Sequence, residues 1–374
     1  MAEAYWLEEQ APPIRSPRHE GRVDVAIVGG GVTGCACARV LAEAGLRVRL
    51  HEARGIATGA SGRNGGFALC GGAARYDVAR ESYGREVAEA LWRWTEESLD
   101  RIEHVAGDAL RRTGSLRLAA DPEEREEIRA EYEALRLDGF DCEWRDELPP
   151  PLAGRFQGAV FHPRDGSIQA ARFTRRLAAA AAEAGAELRE HDRISSLEEL
   201  DAERVVLATD GYGRGLLPEL DEAIWPARGQ IVVSAPIEEE LFSYPHYARQ
   251  GFDYWQQLPD GRVLLGGFRD YSILDELTDE ETTTPVIQDA LVRFLAELIG
   301  YEPTIEHRWA GIFGLTQDFV PLVGPLPGRD GLWIAGGYSG HGNVMGFGCG
   351  ELVARAILGR DEPLLRLFDP ARFA

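Results

Sequence analysis

Lysine is absent from this 374-residue chain, so all 40 of its basic residues are arginine. The absence excludes every mechanism that needs a lysine amine, including Schiff-base catalysis, pyridoxal-phosphate attachment and a lysine nucleophile. Positive charge is also scarce, because 62 acidic residues leave a net charge of -22. Such a chain repels phosphate backbones, which argues against nucleic acid as a partner, and it attracts cations.

Cysteine is sparse, and long apolar runs are missing. The five cysteines are odd in number and show no paired spacing, which favours a reducing compartment and predicts a cytoplasmic protein. Cys35 and Cys37 lie in an apolar helical stretch and point to different sides of the helix, so no metal site is predicted. The uncharged stretch 331–350 contains eight glycines, and residues 1–20 lack the apolar core of a signal peptide. No transmembrane segment is therefore expected.

The first chemical motif is the glycine pattern Gly29-x-Gly31-x-x-Gly34. It follows a predicted buried strand at residues 24–28 and opens a predicted helix at residues 32–44. In this setting the three glycines permit a tight turn, close approach of a pyrophosphate and close packing of helix on sheet. Glu52 ends the next predicted strand, where a carboxylate binds an adenosine ribose. The unit predicts a dinucleotide site.

Two further glycine-rich segments accompany this motif. Residues 59–67 read GASGRNGGF and directly follow the second strand, where successive backbone N–H groups can bind an anion. Residues 333–344 predict a strand, a glycine turn and the start of a helix. The N-terminus of that helix would stabilise negative charge on a reduced flavin, which a simple NAD dehydrogenase does not require.

The remaining pattern separates the two ends of the chain from its middle. Helices are predicted at about residues 84–106, 122–137, 170–183 and 285–299. Alternating, aromatic-rich segments at residues 230–234, 253–258 and 262–266 indicate an antiparallel sheet. The nucleotide-type pattern at both ends therefore predicts a second, inserted domain between them.

With these motifs, the chain resembles the D-amino-acid-oxidase-type FAD-dependent oxidoreductases, the family of glycine, sarcosine and gamma-glutamylputrescine oxidases. The resemblance implies an α/β fold of the glutathione-reductase-like FAD/NAD(P)-binding type. In that fold a Rossmann-like FAD-binding domain carries an inserted antiparallel-sheet substrate domain. The expected ranges are 20–85, 150–220 and 320–374 for the FAD-binding domain, and 86–149 and 221–319 for the substrate domain.

The resemblance also assigns residues to the cofactor. The ADP half of FAD would be held by Gly29, Gly31, Val32, Thr33, Gly34 and Glu52. Ser61 and Arg63 would lie by the pyrophosphate, and Asn64, Gly65 and Gly66 would lie along the isoalloxazine. Ile194 would contact the adenine, and Thr209 and Gly211 would close over the nucleotide. The pyrimidine end of the flavin would meet Gly340, His341, Gly342, Asn343 and Val344.

Three residues are assigned to the catalytic site by the same resemblance: Tyr254 as a substrate contact, His341 for flavin electrostatics, and Phe313. Phe313 stands where glycine oxidases carry an arginine that binds the substrate carboxylate. A buried aromatic ring cannot pair with a carboxylate. This difference predicts amines that lack an α-carboxylate as substrates.

Two other departures concern the cofactor and oxygen. Relatives with covalent flavin attach it through a cysteine near residues 309–314 or a histidine in the early glycine-rich loop. Neither residue occurs in those segments here, so non-covalent FAD is expected. Some relatives activate oxygen with a lysine, which this chain lacks, so oxygen and another electron acceptor both remain open.

The implied enzyme oxidises the C–N bond of a small-molecule amine by hydride transfer to N5 of the flavin, giving an imine that hydrolyses. One alternative on the same fold is a D-amino acid or glycine/sarcosine oxidase or dehydrogenase. An alternative from another class is a partner-dependent flavoprotein subunit of an electron-transfer complex.

Overall fold

A six-stranded sheet forms around the first β-α-β unit of the chain. The computed structural model describes residues 4–373. The helices in this range are α1 Val32–Glu43, α2 Tyr76–Tyr83, α3 Arg85–Ala106, α4 Pro122–Leu137, α5 Ala170–Glu183, α6 Pro218–Asp221, α7 Pro285–Ile299, α8 Gly342–Ile357 and α9 Leu365–Phe368.

The strands in this range are β1 Val23–Val28, β2 Val48–His51, β3 Phe67–Ala68, β4 Leu110–Arg111, β5 Ser115–Leu118, β6 Glu143–Arg145, β7 Ala159–His162, β8 Gly166–Ile168, β9 Glu187–Arg189, β10 Ala202–Leu207, β11 Trp225–Ser234, β12 His246–Ala248, β13 Asp253–Gln257, β14 Val263–Gly267, β15 Ile305–Leu315, β16 Leu322–Pro325 and β17 Leu332–Gly336. Most strands are short, but β11 has 10 residues and β15 has 11.

The first sheet has the order β16-β17-β10-β1-β2-β9 and is parallel except for the β16–β17 pair. Its central strand β1 is apolar and buried, as expected for a strand covered on both faces. Helices α1, α5 and α8 pack together beside this sheet. The sheet thus brings the turn after β1 and the turn after β17 to the same carboxyl edge.

The second sheet has eight strands in the order β15-β11-β14-β13-β12-β5-β7-β6. All neighbours are antiparallel except β12 and β5. Alternation along β11 places Arg228 and Gln230 on the face that meets Glu276, while Gly229 faces the other way. Helix α7 covers the Arg228 face with its apolar residues. A small third sheet has the order β3-β8-β4.

The α/β fold with an antiparallel substrate sheet is confirmed, as are the long predicted helices. The division into domain ranges stays a proposal: β7, within 150–220, belongs to the eight-stranded sheet, and α3, within 86–149, packs on α8. No strand is predicted from the sequence at Ile305–Leu315. That segment forms β15 because long-range pairing with β11 supplies its hydrogen bonds, although Gly311 and Gly314 weaken its local preference for a strand.

Among residues 4–373, no helix has both the length and the apolar character needed to cross a membrane.

Helices α1 and α8 approach closely enough to require glycine between them. A Cβ atom at Gly350 would lie 2.3 Å from the Thr33 carbonyl oxygen and 2.9 Å from the Ala36 Cβ. Because the first contact is with backbone, it cannot relax by a change of rotamer. We expect Gly350→Ala to lower the free energy of unfolding by about 1–3 kcal/mol, measured as a lower Tm. Gly72→Ala is the control, since its Cβ would meet only Leu91 at 4.0 Å; equal Tm values for the two variants would contradict the packing.

Candidate functional site

The turn between β1 and α1 is as tight as its glycines predict. Gly29 has a φ of 116°, and a Cβ there would lie 2.4 Å from the Ala208 carbonyl oxygen. A Cβ at Gly34 would lie 2.0 Å from the Gly29 carbonyl oxygen. Both positions therefore exclude a side chain, and the turn leaves the N-terminal end of α1 facing the second glycine-rich segment.

Glu52 and Ser61 hold this turn in place. The Glu52 carboxylate accepts hydrogen bonds from the backbone N–H of Gly30 and of Arg54, each at 2.8 Å. The Ser61 hydroxyl accepts from the backbone N–H of Val32, at 2.9 Å, in the first turn of α1. A Cβ at Gly31 would lie 3.0 Å from that hydroxyl oxygen. Glu52 and Ser61, which are predicted to lie at the ribose and the pyrophosphate, therefore both contact the turn between β1 and α1.

Arg63 belongs to the same segment but is occupied by protein groups. Its Nε donates to the Thr58 carbonyl at 2.9 Å, and one Nη donates to the Ala310 carbonyl at 3.3 Å. Its Nε also lies 3.5 Å from a carboxylate oxygen of Glu281. A role for Arg63 at the pyrophosphate stays a prediction, and in this structure its guanidinium ties the loop to β15.

A pair of side-chain amides joins the early loop to the last helix. Asn64 Nδ2 donates to Asn343 Oδ1 at 3.0 Å, and Asn343 Nδ2 donates to Asn64 Oδ1 at 3.1 Å. Asn64 Oδ1 also accepts from the Gly66 backbone N–H at 2.8 Å. The predicted isoalloxazine segment, residues 64–66, therefore lies directly beside the N-terminus of α8.

His341 precedes α8 and has an unsatisfied ring nitrogen. Its backbone is the N-cap of the helix, but no side chain caps this end. Its Nδ1 is buried and has no hydrogen-bond partner among the described residues. Burial lowers the pKa of His341 to about 4, so the imidazole is neutral at pH 7. Beside it Gly340 has a φ of 92°, and a Cβ there would meet nothing within 4 Å.

Tyr254 crosses from the antiparallel sheet to the glycine-rich loop. A Cβ at Gly65 would lie 2.8 Å from the Tyr254 ring, and a Cβ at Gly266 would lie 2.4 Å from it. The Phe67 ring contacts it edge to face, with centroids 5.7 Å apart. Its hydroxyl makes no hydrogen bond with any residue in the range 4–373, and its oxygen would lie 2.5 Å from a Cβ at Gly266 and 3.7 Å from one at Gly229. The sheet face and the loop thus form two walls of one site.

Phe313 lies on the same face of the sheet as Tyr254. It pairs with Ala227 on β11. A Cβ at Gly229 would lie 3.5 Å from the Phe313 ring. The guanidinium carbon of Arg269 lies 5.9 Å from the centre of the Phe313 ring. The wall that Phe313 helps to form therefore also carries a cation.

Four predicted cofactor residues are set back from these walls. The Thr33 hydroxyl is buried and hydrogen-bonds to the Tyr338 hydroxyl at 2.9 Å. Ile194 packs in an apolar cluster with Val28 and Leu207. The remaining two, Thr209 and Gly211, follow β10, and a Cβ at Gly211 would meet the Phe313 main chain at 2.7 Å. Their contacts with a nucleotide stay predictions.

Three residues that support the site were not predicted from the sequence. The Asp210 carboxylate accepts from the backbone N–H of Gly314 at 2.9 Å and of Gly337 at 2.7 Å. Gln256 donates to the Gly65 carbonyl at 2.5 Å, and Trp6 donates from Nε1 to the Asn64 carbonyl at 2.7 Å. Asp210 had a visible signal, an acid three residues after the buried end of a strand. Trp6 had none, because its partner is 58 residues away.

Trp6 supports the loop from behind. It is 4% exposed, and its ring would lie 2.6 Å from a Cβ at Gly66. We expect Trp6→Phe, which keeps the ring packing but loses the N–H donor, to weaken FAD retention about fivefold to tenfold. Equilibrium dialysis against FAD measures this change. The control is Trp225→Phe, since Trp225 is 43% exposed and donates to the Glu222 carbonyl, away from the loop. Equal FAD affinity for both variants would contradict a supporting role for Trp6.

The residues present fit a flavin dinucleotide. Gly31 leaves space at the N-terminus of α1, where backbone N–H groups and the helix dipole favour phosphate. The uncapped N-terminus of α8 and the unpartnered Nδ1 of His341 offer polar groups to a ring with its own donors and acceptors. Residues 64–66 lie between these two ends, so FAD would extend from α1 to α8 along them.

Comparisons with known proteins agree with this geometry. A family model described as FAD dependent oxidoreductase matches residues 24–356. Glycine oxidase from Geobacillus kaustophilus is 30% identical over 385 residues, covering 94% of this chain and 96% of that protein. Gamma-glutamylputrescine oxidoreductase from Escherichia coli is 29% identical over 370 residues, covering 91% and 84% of the two chains.

Among solved structures, the crystal structure of the Geobacillus kaustophilus glycine oxidase has a TM-score of 0.76 at 26% identity. That similarity covers 93% of this chain and 98% of the other. L-proline dehydrogenase from P. horikoshii has the same TM-score at 22% identity, which shows the shared fold, and covers 94% and 98% of the two chains. The chain therefore belongs to the family of FAD-dependent oxidoreductases that act on amines and amino acids.

Proposed function

We propose that this protein oxidises the C–N bond of an amine to an imine, which then hydrolyses, with non-covalent FAD as the hydride acceptor. One observation carries the proposal: Tyr254 on the sheet face meets Gly65 in the loop that Asn343 links to α8. A substrate bound beside Tyr254 would face the segment that is expected to hold the isoalloxazine.

The walls of the site suit this reaction. Phe67, Tyr254 and Phe313 provide aromatic surface that excludes water around the reacting carbon. Burial raises the pKa of Tyr254 above its usual range, so its hydroxyl stays protonated and can hydrogen-bond to a neutral amine nitrogen. When bound, FAD supplies the electrophilic N5 that accepts the hydride. No strong protein base is needed, which agrees with a chain that has no lysine.

Non-covalent binding is supported by the state of the cysteines. Cys35, Cys37 and Cys349 are fully buried within helices, and burial raises the pKa of each thiol. The pKa of Cys70, beyond β3, is raised well above its usual value by burial as well. A thiol held protonated is a poor nucleophile for covalent attachment to a flavin.

Acid precipitation tests the mode of binding. Because no reactive thiol is available at the site, the denatured protein is expected to form a colourless pellet and to leave the yellow flavin in the supernatant. Flavin absorbance in both fractions is the measurement. A pellet that stays yellow after washing would contradict the non-covalent proposal.

Anaerobic flavin reduction tests the reaction itself. We expect at least one class among primary amines, secondary amines and amino acids to bleach the absorbance of the oxidised flavin under anaerobic conditions, with release of a carbonyl product after hydrolysis. Re-oxidation by air would then separate an oxidase from a dehydrogenase. No bleaching by any of these compounds would favour the alternative of a partner-dependent electron-transfer subunit.

A further inference from the structure

Arg269 differs from the other arginines around the site because no carboxylate pairs with it. It follows β14, is half-buried, and makes no side-chain hydrogen bond or ion pair within residues 4–373. Other arginines around the site form ion pairs with acidic side chains: Arg54 with Glu281, Arg117 with Glu131, Arg228 with Glu276, and Arg249 with Asp253 and Asp270.

The position of Arg269 leaves its charge facing the substrate side of the sheet. Its guanidinium carbon lies 5.1 Å from the centre of the Phe252 ring and 5.9 Å from that of Phe313. The adjacent acid, Asp270, forms its ion pair with Arg249 instead, with 2.9 Å between the Arg249 Nη and the Asp270 carboxylate oxygen. The guanidinium is therefore held between two rings, beside Tyr254, without an anion.

A partly desolvated guanidinium without a counterion is unfavourable unless an anion or hydrogen-bond acceptor pairs with it. Burial lowers the pKa of Arg269 while the nearby acid Asp270 opposes that change, yet the group stays charged at any physiological pH. Its planar N–H donors match a carboxylate in bidentate geometry. The observations thus point to an anionic group that arrives with the ligand.

We propose that Arg269 binds a carboxylate of the amine substrate, and this inference rests on the proposed function. Phe313 occupies the position expected for a carboxylate-binding arginine, and Arg269 reaches over the same ring from a different strand end. The substrate class is therefore an amine that carries a carboxylate, either at the α-carbon or further along the chain. A distal carboxylate is consistent with the expectation of amines that lack an α-carboxylate, whereas an α-carboxylate would replace that expectation.

The binding test uses the FAD-loaded protein and two probes of nearly the same shape, benzoate and benzamide. Perturbation of the flavin absorbance gives the Kd of each probe for wild type and for Arg269→Gln. We expect Arg269→Gln to weaken benzoate binding about tenfold to a hundredfold and to leave the Kd of benzamide within twofold. Arg293→Gln is the matched control, because Arg293 is exposed on α7 and the change in net charge is the same.

The kinetic test compares flavin reduction by glycine, 4-aminobutyrate and 1,4-diaminobutane. For each variant we divide the rate of flavin reduction by a carboxylate-bearing amine by the rate for the diamine. We expect this ratio to be at least tenfold lower in Arg269→Gln than in Arg293→Gln. A loss confined to glycine identifies an α-carboxylate, and one confined to 4-aminobutyrate identifies a distal carboxylate. Arg269→Lys keeps the charge without the bidentate fork and is expected to recover only part of the loss.

The outcomes separate this inference from the proposed function. Equal benzoate affinity in wild type and Arg269→Gln would overturn the inference, as would wild-type protein that does not discriminate benzoate from benzamide. If benzoate binding depends on Arg269 but no amine reduces the flavin, the carboxylate site stands and the proposed function fails. If amines reduce the flavin with rate ratios that do not depend on Arg269, the function stands and the inference fails.

Discussion

The site depends on two amide side chains that hydrogen-bond to each other across 279 residues of sequence. Asn64 and Asn343 exchange bonds of 3.0 and 3.1 Å, and they join the loop after β2 to the start of α8. Trp6 and Gln256 hold the same loop through its backbone carbonyls. Each contact gives a polar group of the loop a partner within the protein, which favours a loop that is preorganised for a ligand.

The charge pattern of the chain gives the site its chemical character. With no lysine and an excess of acids, the described arginines near the site find carboxylate partners within the protein, as Arg228 does with Glu276. Arg269 is the exception that lines the substrate side. Arg269 is a local positive charge in a strongly acidic protein. If it binds the substrate carboxylate as proposed, the amine nitrogen would face Tyr254.

Much of this architecture could be predicted from the sequence because it is local. The turn from Gly29 to Gly34 has a fixed spacing between a strand and a helix, and the long helices follow their apolar periodicity. The partners of Trp6, Asp210 and Arg63 could not be predicted, since they lie far away in the sequence: Asn64 in the loop for Trp6, and residues of β15 for the other two. That Arg269 has no ion-pair partner within residues 4–373 could not be predicted either, because it depends on the ion pair between Asp270 and Arg249 in the folded chain.

The most direct test of the central claim is a crystal structure of the purified protein with its cofactor. We expect electron density for an isoalloxazine lying along residues 64–66, with its pyrimidine end at the N-terminus of α8 and the ring of Tyr254 across from it. The pyrophosphate is expected at the N-terminus of α1, beside Ser61. Density for the flavin anywhere other than between α8 and the loop, or a bond from the flavin to a protein side chain, would contradict it.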